Sequence, residues 1–548
     1  MQRLPRSFLL AALAAAPLSA QLVVPSSLYP TVQSAIDAVT PNGTILVLAG
    51  TYNENLDCKG KAFTLRAVSG PMLTILNGGA TAPVIAMRTG ETRSTIVEGF
   101  TIKNGKATVP NTSGTPLPVT GGGIQLWGAS PTIRKCWIRE NTTAAYGAGI
   151  GGTPSTTAVA PLIEDCRIDD NLAQGLSYAS GAGVGILGFS TGAVAGVPEI
   201  RRCSFVRNVA QQRGAGAYFG YNQSALIEDC VFTANATIAT GTSLEGGGAI
   251  FYGLNSVGIV RNCRIFGNSS GGNGGGVKYF NVTGLSLVNN TIANNTGGGI
   301  AGFANTGAFG INVSANLRNC ILWNNSGGEV ALTGLGQGSI PPTVTIDYSV
   351  VTGGYAGTGN LASDPLLANG LSDNLRLLPG SPAIDKGDNA AANLPARDFE
   401  GDPRQVGPAV DIGADEHVPG AVLLYGSRGT ISLAAPGTTT FTLNGGSGRA
   451  GMAYAILMGF SGTYPGVDLL GLHLPLNIDP ALTLGITAFP SFQGSLSGSG
   501  IATATMPLGA GPLPPGLLTE EMSFAAVVLG AGPSLNAFSN DETHRFAQ

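Results

Sequence analysis

From Gly121 to Asn325 apolar and polar positions recur in one order, through seven imperfect copies laid end to end. The copies contain TIRKCWIREN, LIEDCRIDDN, EIRRCSFVRN, LIEDCVFTAN, IVRNCRIFGN, LVNNTIANN and LRNCILWNN, most of them preceded by a Gly-rich run such as GGGIQLW or GAGVGIL. One column holds Asn141, Asn171, Asn208, Asn235, Asn268, Asn295 and Asn325, at steps of 27 to 37 residues. Five residues before it stand Cys136, Cys166, Cys203, Cys230, Cys263, Asn290 and Cys320. Such uneven steps do not suit a helical repeat. They suit short strands joined by turns of variable length, with insertions at the surface.

Within a copy, Ile133, Ile163, Ile200 and Ile227 precede the Cys column, and Ile138, Ile168, Phe205 and Phe232 follow it. This predicts two inward-facing strands meeting at a corner. Asp165, Asp229, Asn262, Asn289 and Asn319, just before the Cys column, tolerate the left-handed backbone such a corner needs. Stacked Asn amides can hydrogen-bond from coil to coil. The Gly run opens a third strand, with Ile124, Ile150, Val184, Ala217, Ala249, Val277 and Ile300 inward. The expected fold is all-β: a right-handed parallel β-helix of three strands per coil, followed by a small antiparallel β-sandwich.

The stretch GGGIQLWGASPTIRKCWIREN resembles the repeat of secreted bacterial right-handed β-helix proteins of the pectin-lyase-like superfamily. With its flanking coils the likeness covers roughly three-fifths of the chain, and it marks a fold rather than one enzyme.

Before the repeats, residues 1–20 read as a secretory signal: Arg3 and Arg6, then the apolar stretch Phe8 to Ala16, then Leu18-Ser19-Ala20. The stretch is too short for a membrane span. The solenoid is expected over residues 21–362. TVQSAIDAV, with Val32, Ile36 and Val39 on one face, predicts a short helix covering its first coil. The loop 106–120, rich in Pro and Thr, is expected to bulge out. After the repeats, strands are expected over 343–350 and 374–378. Residues 363–417 resemble the end segment of choice-of-anchor-type β-helix proteins, through SPAID (381–385), Asp398 to Arg404 and DIGA (411–414). Residues 418–548 form the expected sandwich module, with strands near 430–433, 438–443, 452–458, 469–474, 500–506 and 523–529.

Composition narrows the chemistry. Charged residues are 11% of 548, against about 25% in ordinary domains, and the net charge is −4. Neither nucleic acid nor an anionic membrane is an expected partner. The seven Cys are read as free and buried, since coils about 4.8 Å apart hold parallel Cβ atoms too far apart for the ~3.8 Å of a disulfide. Asp385, Asp388, Asp398, Asp402, Asp411 and Asp415 form the one acidic concentration. They are read as turn formers, a Ca²⁺ site being the competing reading, and no other cofactor is expected.

No catalytic residue is assigned. The outward row of the third strand, read as Gln125, Gly151, Gly185, Tyr218, Ile250, Lys278 and Ala301, is nearly empty of acids and bases. Arg213 and Glu245 are read as a surface ion pair, and Glu164-Asp165 and Asp169-Asp170 as solvated turns. Aromatics are the better lead. Trp127, Tyr218, Tyr252 and Phe280, with Phe303, are read as outward rings on which sugars can stack; burial of these rings under loops is the competing reading. The expectation is an exported, monomeric protein of the cell surface, periplasm or medium, which binds extended polysaccharide or envelope glycan without cleaving it. The alternative is a polysaccharide lyase or glycoside hydrolase.

Overall fold

The computed structural model describes residues 21–107, 120–175, 178–189, 196–240, 244–305, 312–334, 340–368 and 374–426. In the last module it describes 430–432, 437–459, 467–469, 472–474, 476, 490–508, 521–529 and 535–547. The repeats form a right-handed parallel β-helix. Its first sheet has 12 strands, its second 11 and its third 10, all parallel in register. A fourth sheet of six two-residue strands fills the corner after the Asn column. A representative coil runs through Thr132–Arg134, Trp137–Arg139, Thr142–Thr143 and Ile150–Thr153.

Two left-handed residues bend every coil. The one before the Cys column has φ between 50° and 55° in all seven copies, including Lys135 and Arg202 as well as the expected Asp and Asn. A second lies before the Asn column, from Glu140 to Asn324, with Gly267 (φ 60°) supplying it at no steric cost in the fifth copy. The two corners turn Ile133, Cys136, Ile138 and Asn141 toward one interior, where all are buried. Removing each such Ile from water contributes about 1.5–3 kcal/mol, which is what holds the corners closed.

The buried Asn amides form the expected ladder. Asn141 Nδ2 donates to Asn171 Oδ1 at 3.1 Å, and the five following steps measure 2.9 to 3.0 Å. Glu329 closes the row by accepting from Asn325 Nδ2 at 2.5 Å. All seven thiols are free and buried. Asn290 keeps its place in the Cys column because its side chain behaves as a ladder amide: Oδ1 accepts the Cys263 N–H at 2.9 Å and Nδ2 donates to Val260 O at 2.8 Å.

The helix spans Val32–Ala38, with Thr31 as N-cap in a capping box and Val32, Ala35 and Ile36 buried against the first strands. The loop at 108–119 lies outside the described residues. Strands appear at Thr343–Asp347 and Val350–Val351, but 374–378 yields only an isolated bridge between Leu377 and Leu367. Residues 374–417 lay themselves over the outer face of the second sheet in the last coils. Phe399, Leu375 and Ala414 pack there on Val231, Phe266 and Ala293. The last module has three- and five-stranded sheets, mostly antiparallel, around a core of its own that includes Phe441, Ile456, Phe492, Met506 and Phe524. Its strand Leu423–Gly426 and long strand Leu535–Ala547 were not anticipated, and 469–474 divides into the hairpin Val467–Leu469 and Leu472–Leu474. No helix among the described residues is long and apolar enough to cross a membrane.

Candidate functional site

The third sheet places the expected aromatic row differently from the sequence reading. Ala217 pairs with Ile250, Tyr218 with Phe251 and Phe219 with Tyr252. The inward residue of that copy is therefore Ile250 rather than Ala249, and Tyr252 faces inward. Tyr252 is fully buried, stacks on Phe219 at 5.2 Å and donates its hydroxyl to Ala225 O at 3.4 Å. Its neighbour Phe251 takes the outward place. A shift of one residue moves a side chain to the opposite face of a strand, and that is the correction here.

Tyr218, Phe280 and Phe303 do point outward, but they are buried against one another and Phe251. Tyr218 lies 5.7 Å from Tyr146 and 5.6 Å from Phe251, and Phe280 lies 5.5 Å from Phe303. Trp127 is half-buried on the same sheet. Arg213 and Glu245 belong to this closed patch. Arg213 donates to Leu244 O at 2.7 Å and sits over the Phe251 ring, while Lys278 Nζ donates to Glu245 O. Burial pushes the Lys278 amine down to about 8. Rings engaged in this way present little face to a sugar.

The second sheet carries the polar concentration that sequence reasoning passed over. Ile138 and Ile168 face inward, so the residues on either side of each face outward: Trp137 and Arg139, then Arg167 and Asp169, paired in register. Asp169, expected at a solvated turn, is fully buried. Its Oδ2 lies 3.4 Å from Arg167 Nε, 3.6 Å from Arg207 Nη2 and 3.7 Å from Arg139 Nη2, while neither carboxylate oxygen makes a hydrogen bond. Burial raises its pKa to about 6, against the opposing pull of the three guanidinium groups. Asp170 beside it takes two hydrogen bonds of 2.8 Å from Arg207. Half-buried Trp137 has the Arg139 and Arg167 guanidiniums 4.8 and 5.2 Å from its ring centre. Glu140 and Lys103 form the rim, 3.7 Å apart. The signal was present in CWIREN and CRIDDN, where alternation about one inward Ile puts Trp, Arg and Asp on one outer face.

Farther along this face the chain covers itself. Arg264, in the same outer column as Trp137 and Arg167, stacks on Phe399 of the end segment at 3.7 Å. That segment is tied down by Asn289 Nδ2, which donates to Asp411 O and Gly413 O at 3.1 Å, and by Arg404 Nη2, which donates to Asn262 Oδ1 at 2.6 Å. The acidic residues there serve the chain's own turns. Asp398 accepts the N–H groups of Glu400, Asp402 and Glu416, Asp411 those of Asp385 and His417, and Asp415 that of Leu377. Asp388 pairs with Arg318 at 2.6 Å. Among the described residues no three His, Cys, Asp or Glu side chains converge to hold a metal ion.

Residues 183–364 match a family model described as the right handed beta helix region. Among solved structures, pectin methylesterase from carrot is 12% identical, with 58% of this chain and 83% of that one covered at a TM-score of 0.26. A pectin methylesterase in complex with hexasaccharide VII is 12% identical, with 64% and 92% covered at a TM-score of 0.24. No curated protein matches the chain.

Proposed function

We propose that the protein is an exported β-helix that holds an extended glycan without cleaving it, on the outer face of the second sheet around Trp137. The observation that carries this reading is the placement of half-exposed Trp137 between Arg139 and Arg167 on the outer face of a parallel sheet. A sugar ring can stack on an indole while its hydroxyl groups meet the guanidinium donors. The aromatic group of the third sheet offers no comparable surface, because Tyr218 and Phe280 spend their faces on neighbouring rings and Tyr252 lies in the core. The leader-like residues 1–20 and the low surface charge support an extracytoplasmic setting.

A second reading is favoured by one observation. Asp169, held near pKa 6 beside Asp170 and three Arg, has the makings of a general acid, which suits a glycan-cleaving enzyme. One assay separates the two: incubation with a panel of polysaccharides, scoring retention together with new reducing or unsaturated ends. Binding without product is expected. Trp137→Ala should lower retention several-fold with little change in melting temperature, whereas Trp127→Ala should leave retention intact. Retention that survives Trp137→Ala overturns the placement. Product formation abolished by Asp169→Asn establishes the enzyme.

A further inference from the structure

We propose that the protein pairs with a second copy of itself through the free edge of its first strand, Gln21–Val24, and the apolar corner beside that edge. The pairing replaces the monomer expected from the sequence and stands independently of the glycan reading.

Gln21–Val24 opens the 12-stranded first sheet and bonds on one side to Gly43–Val47. On its other side no described strand or backbone group bonds to it. Leu22 belongs to the inward column, in register with Ile45, yet it is only half-buried because the core reaches it from one side. The opposite end of the stack is finished differently. There Tyr348 N donates to Thr358 O at 2.7 Å, Leu361 N to Ser349 O at 2.8 Å and Val351 N to Leu361 O at 2.9 Å. The chain thus closes the last edge of its own second sheet. Open strand edges are commonly guarded by charged side chains, and an unguarded one is a template for another strand. No charged residue occurs from Gln21 to Ile36.

The corner adjoins this edge. Val23 faces outward, in register with Leu46. Leu48 N donates to Val24 O at 2.8 Å, Val68 N to Val47 O at 2.9 Å and Gly50 N to Leu73 O at 2.8 Å. These bonds set Leu48 beside Val68 and Leu73 of the next coil, where the first sheet turns into the second. Val23, Leu48, Val68, Met72 and Leu73 are 38% to 60% exposed. Neither 43–52 nor 67–73 contains a charge. A contiguous apolar patch of this kind marks an interaction surface.

Three features select a second copy as the partner. The N–H and C=O groups of the free edge need a strand, which a lipid surface cannot supply. A two-fold axis perpendicular to the sheet lays Gln21–Val24 antiparallel on its own copy, so one closed contact covers both edges and joins the two outer faces at Val23 and Leu46. A head-to-tail stack would instead need the far end, which residues 358–361 occupy. Charge permits the two-fold arrangement, because the outer column of the first sheet has its first guanidinium, Arg66, on the third strand. Arg66 of one copy would lie five strand spacings from its mate, about 24 Å and well beyond the ~8 Å screening length.

The test is sedimentation equilibrium of the full chain over about a hundredfold range of concentration, which should show monomer and dimer exchanging by mass action. Amide exchange across Gln21–Val24 should slow as the dimer fills. Val23→Lys sets like charges across the axis and should raise the dissociation constant at least about tenfold. The melting temperature of dilute protein should hold, since Val23 faces outward. Leu73→Gln should weaken the dimer several-fold, whereas Val197→Lys, at an exposed apolar position on a later coil, should leave it intact. A monomer at every concentration overturns the pairing, and flotation of that monomer with phosphatidylcholine vesicles would assign the corner to a membrane instead. A dimer unaltered in both Val23→Lys and Leu73→Gln overturns the placement. A dimer whose Gln21–Val24 amides exchange as fast as in the monomer overturns the strand pairing.

Discussion

Arg261 Nη2 lies 2.6 Å from Oε1 of Glu228, its direct register partner on the adjacent coil. The pair is one rung of a column along the outer face of the first sheet. In register it reads Arg66, Glu98, Arg134, Glu164, Arg201, Glu228 and Arg261, with charge alternating at every coil. Glu98 holds Arg134 at 2.9 Å and Arg66 at 3.2 Å, so one carboxylate serves two coils. In a parallel sheet, a shift of one coil would set like charges side by side. The column thus favours one stacking order over its neighbours.

Glu228→Gln should cost about 1 kcal/mol in chemical denaturation, the upper end for a part-exposed ion pair, because Glu228 faces both Arg201 and Arg261. Glu228→Arg sets three guanidiniums in a row and should cost roughly twice as much. In 1 M salt the gap between the variants should narrow, since exposed charges are then screened within about 3 Å. Equal stability of the two variants at low salt would show that the column is uncoupled.

The Asn ladder should be far less forgiving. Asn208 Nδ2 donates to Ile168 O and Asn235 Oδ1, while its Oδ1 accepts from Asn171 N and Nδ2. Asn208→Ala leaves the Asn171 N–H and the Ile168 carbonyl without those partners in a dry interior. Two such groups at about 1–3 kcal/mol each predict a loss of roughly 2–6 kcal/mol. Asn325→Ala should cost less, because that end of the row is 6% exposed and water can replace the amide. The comparison is read from denaturation midpoints, and similar losses at the two sites would contradict the ladder argument.

Which parts of this were legible depended on side chains that mark position. The Cys and Asn columns fixed the first two strands because each residue type fits one place in the coil. The third strand slipped in one copy. GGGAIFY aligns equally well by eye with its neighbours at Gly246 or Gly247, since glycines carry no side chain to set register; the structure pairs Gly246 with Arg213 and begins the repeat at Gly247. That slip turned Tyr252 outward on paper. Asp169 was missed for another reason. Its partners Arg139 and Arg207 come from other coils, and no local pattern announces such neighbours. Residues 363–417 were read as a distinct end segment, but their docking on the outer face of the second sheet was not foreseen, because the contacts with Asn262, Asn289 and Asn319 span long sequence separations.

The thiols should be silent in the native state. All seven sulfurs are buried away from reagent. Burial also raises the Cys58 thiol well above its ordinary range and that of Cys320 to about 11, which suppresses the reactive thiolate. The Cys203 thiol, which burial raises but hydrogen bonds from Cys166 and Cys230 lower overall, is protected by its burial alone. Titration with an aromatic disulfide reagent should find no fast-reacting group, and seven after denaturation without reductant. Fewer than seven would reveal disulfides joining coils.

The end segment should respond to pH independently of the solenoid beneath it. Burial raises Asp398 and Glu416 to about 7 and Asp411 to about 6 in the folded chain, above the usual carboxylate range. Folded pKa values above unfolded ones mean that these groups contribute their full stability below about pH 4. The contribution is lost as pH rises through 6 to 7, because the folded segment must then hold buried charge. The backbone N–H donors at Asp398 and Glu416 and the nearby Arg404 soften this loss without reversing it. Amide exchange, corrected for its intrinsic pH dependence, should show residues 396–416 better protected at pH 5 than at pH 8, while the Asn-ladder amides stay unchanged. Arg404→Met removes the cation that reaches across to Asn262 and leaves Glu416 buried without it. Breaking a buried pair in this way costs about 3–5 kcal/mol. The variant should therefore expose the segment to limited proteolysis first, and more so at pH 8. Equal protection at the two pH values, or cleavage in the solenoid before the segment, would show that these carboxylates do not govern its hold.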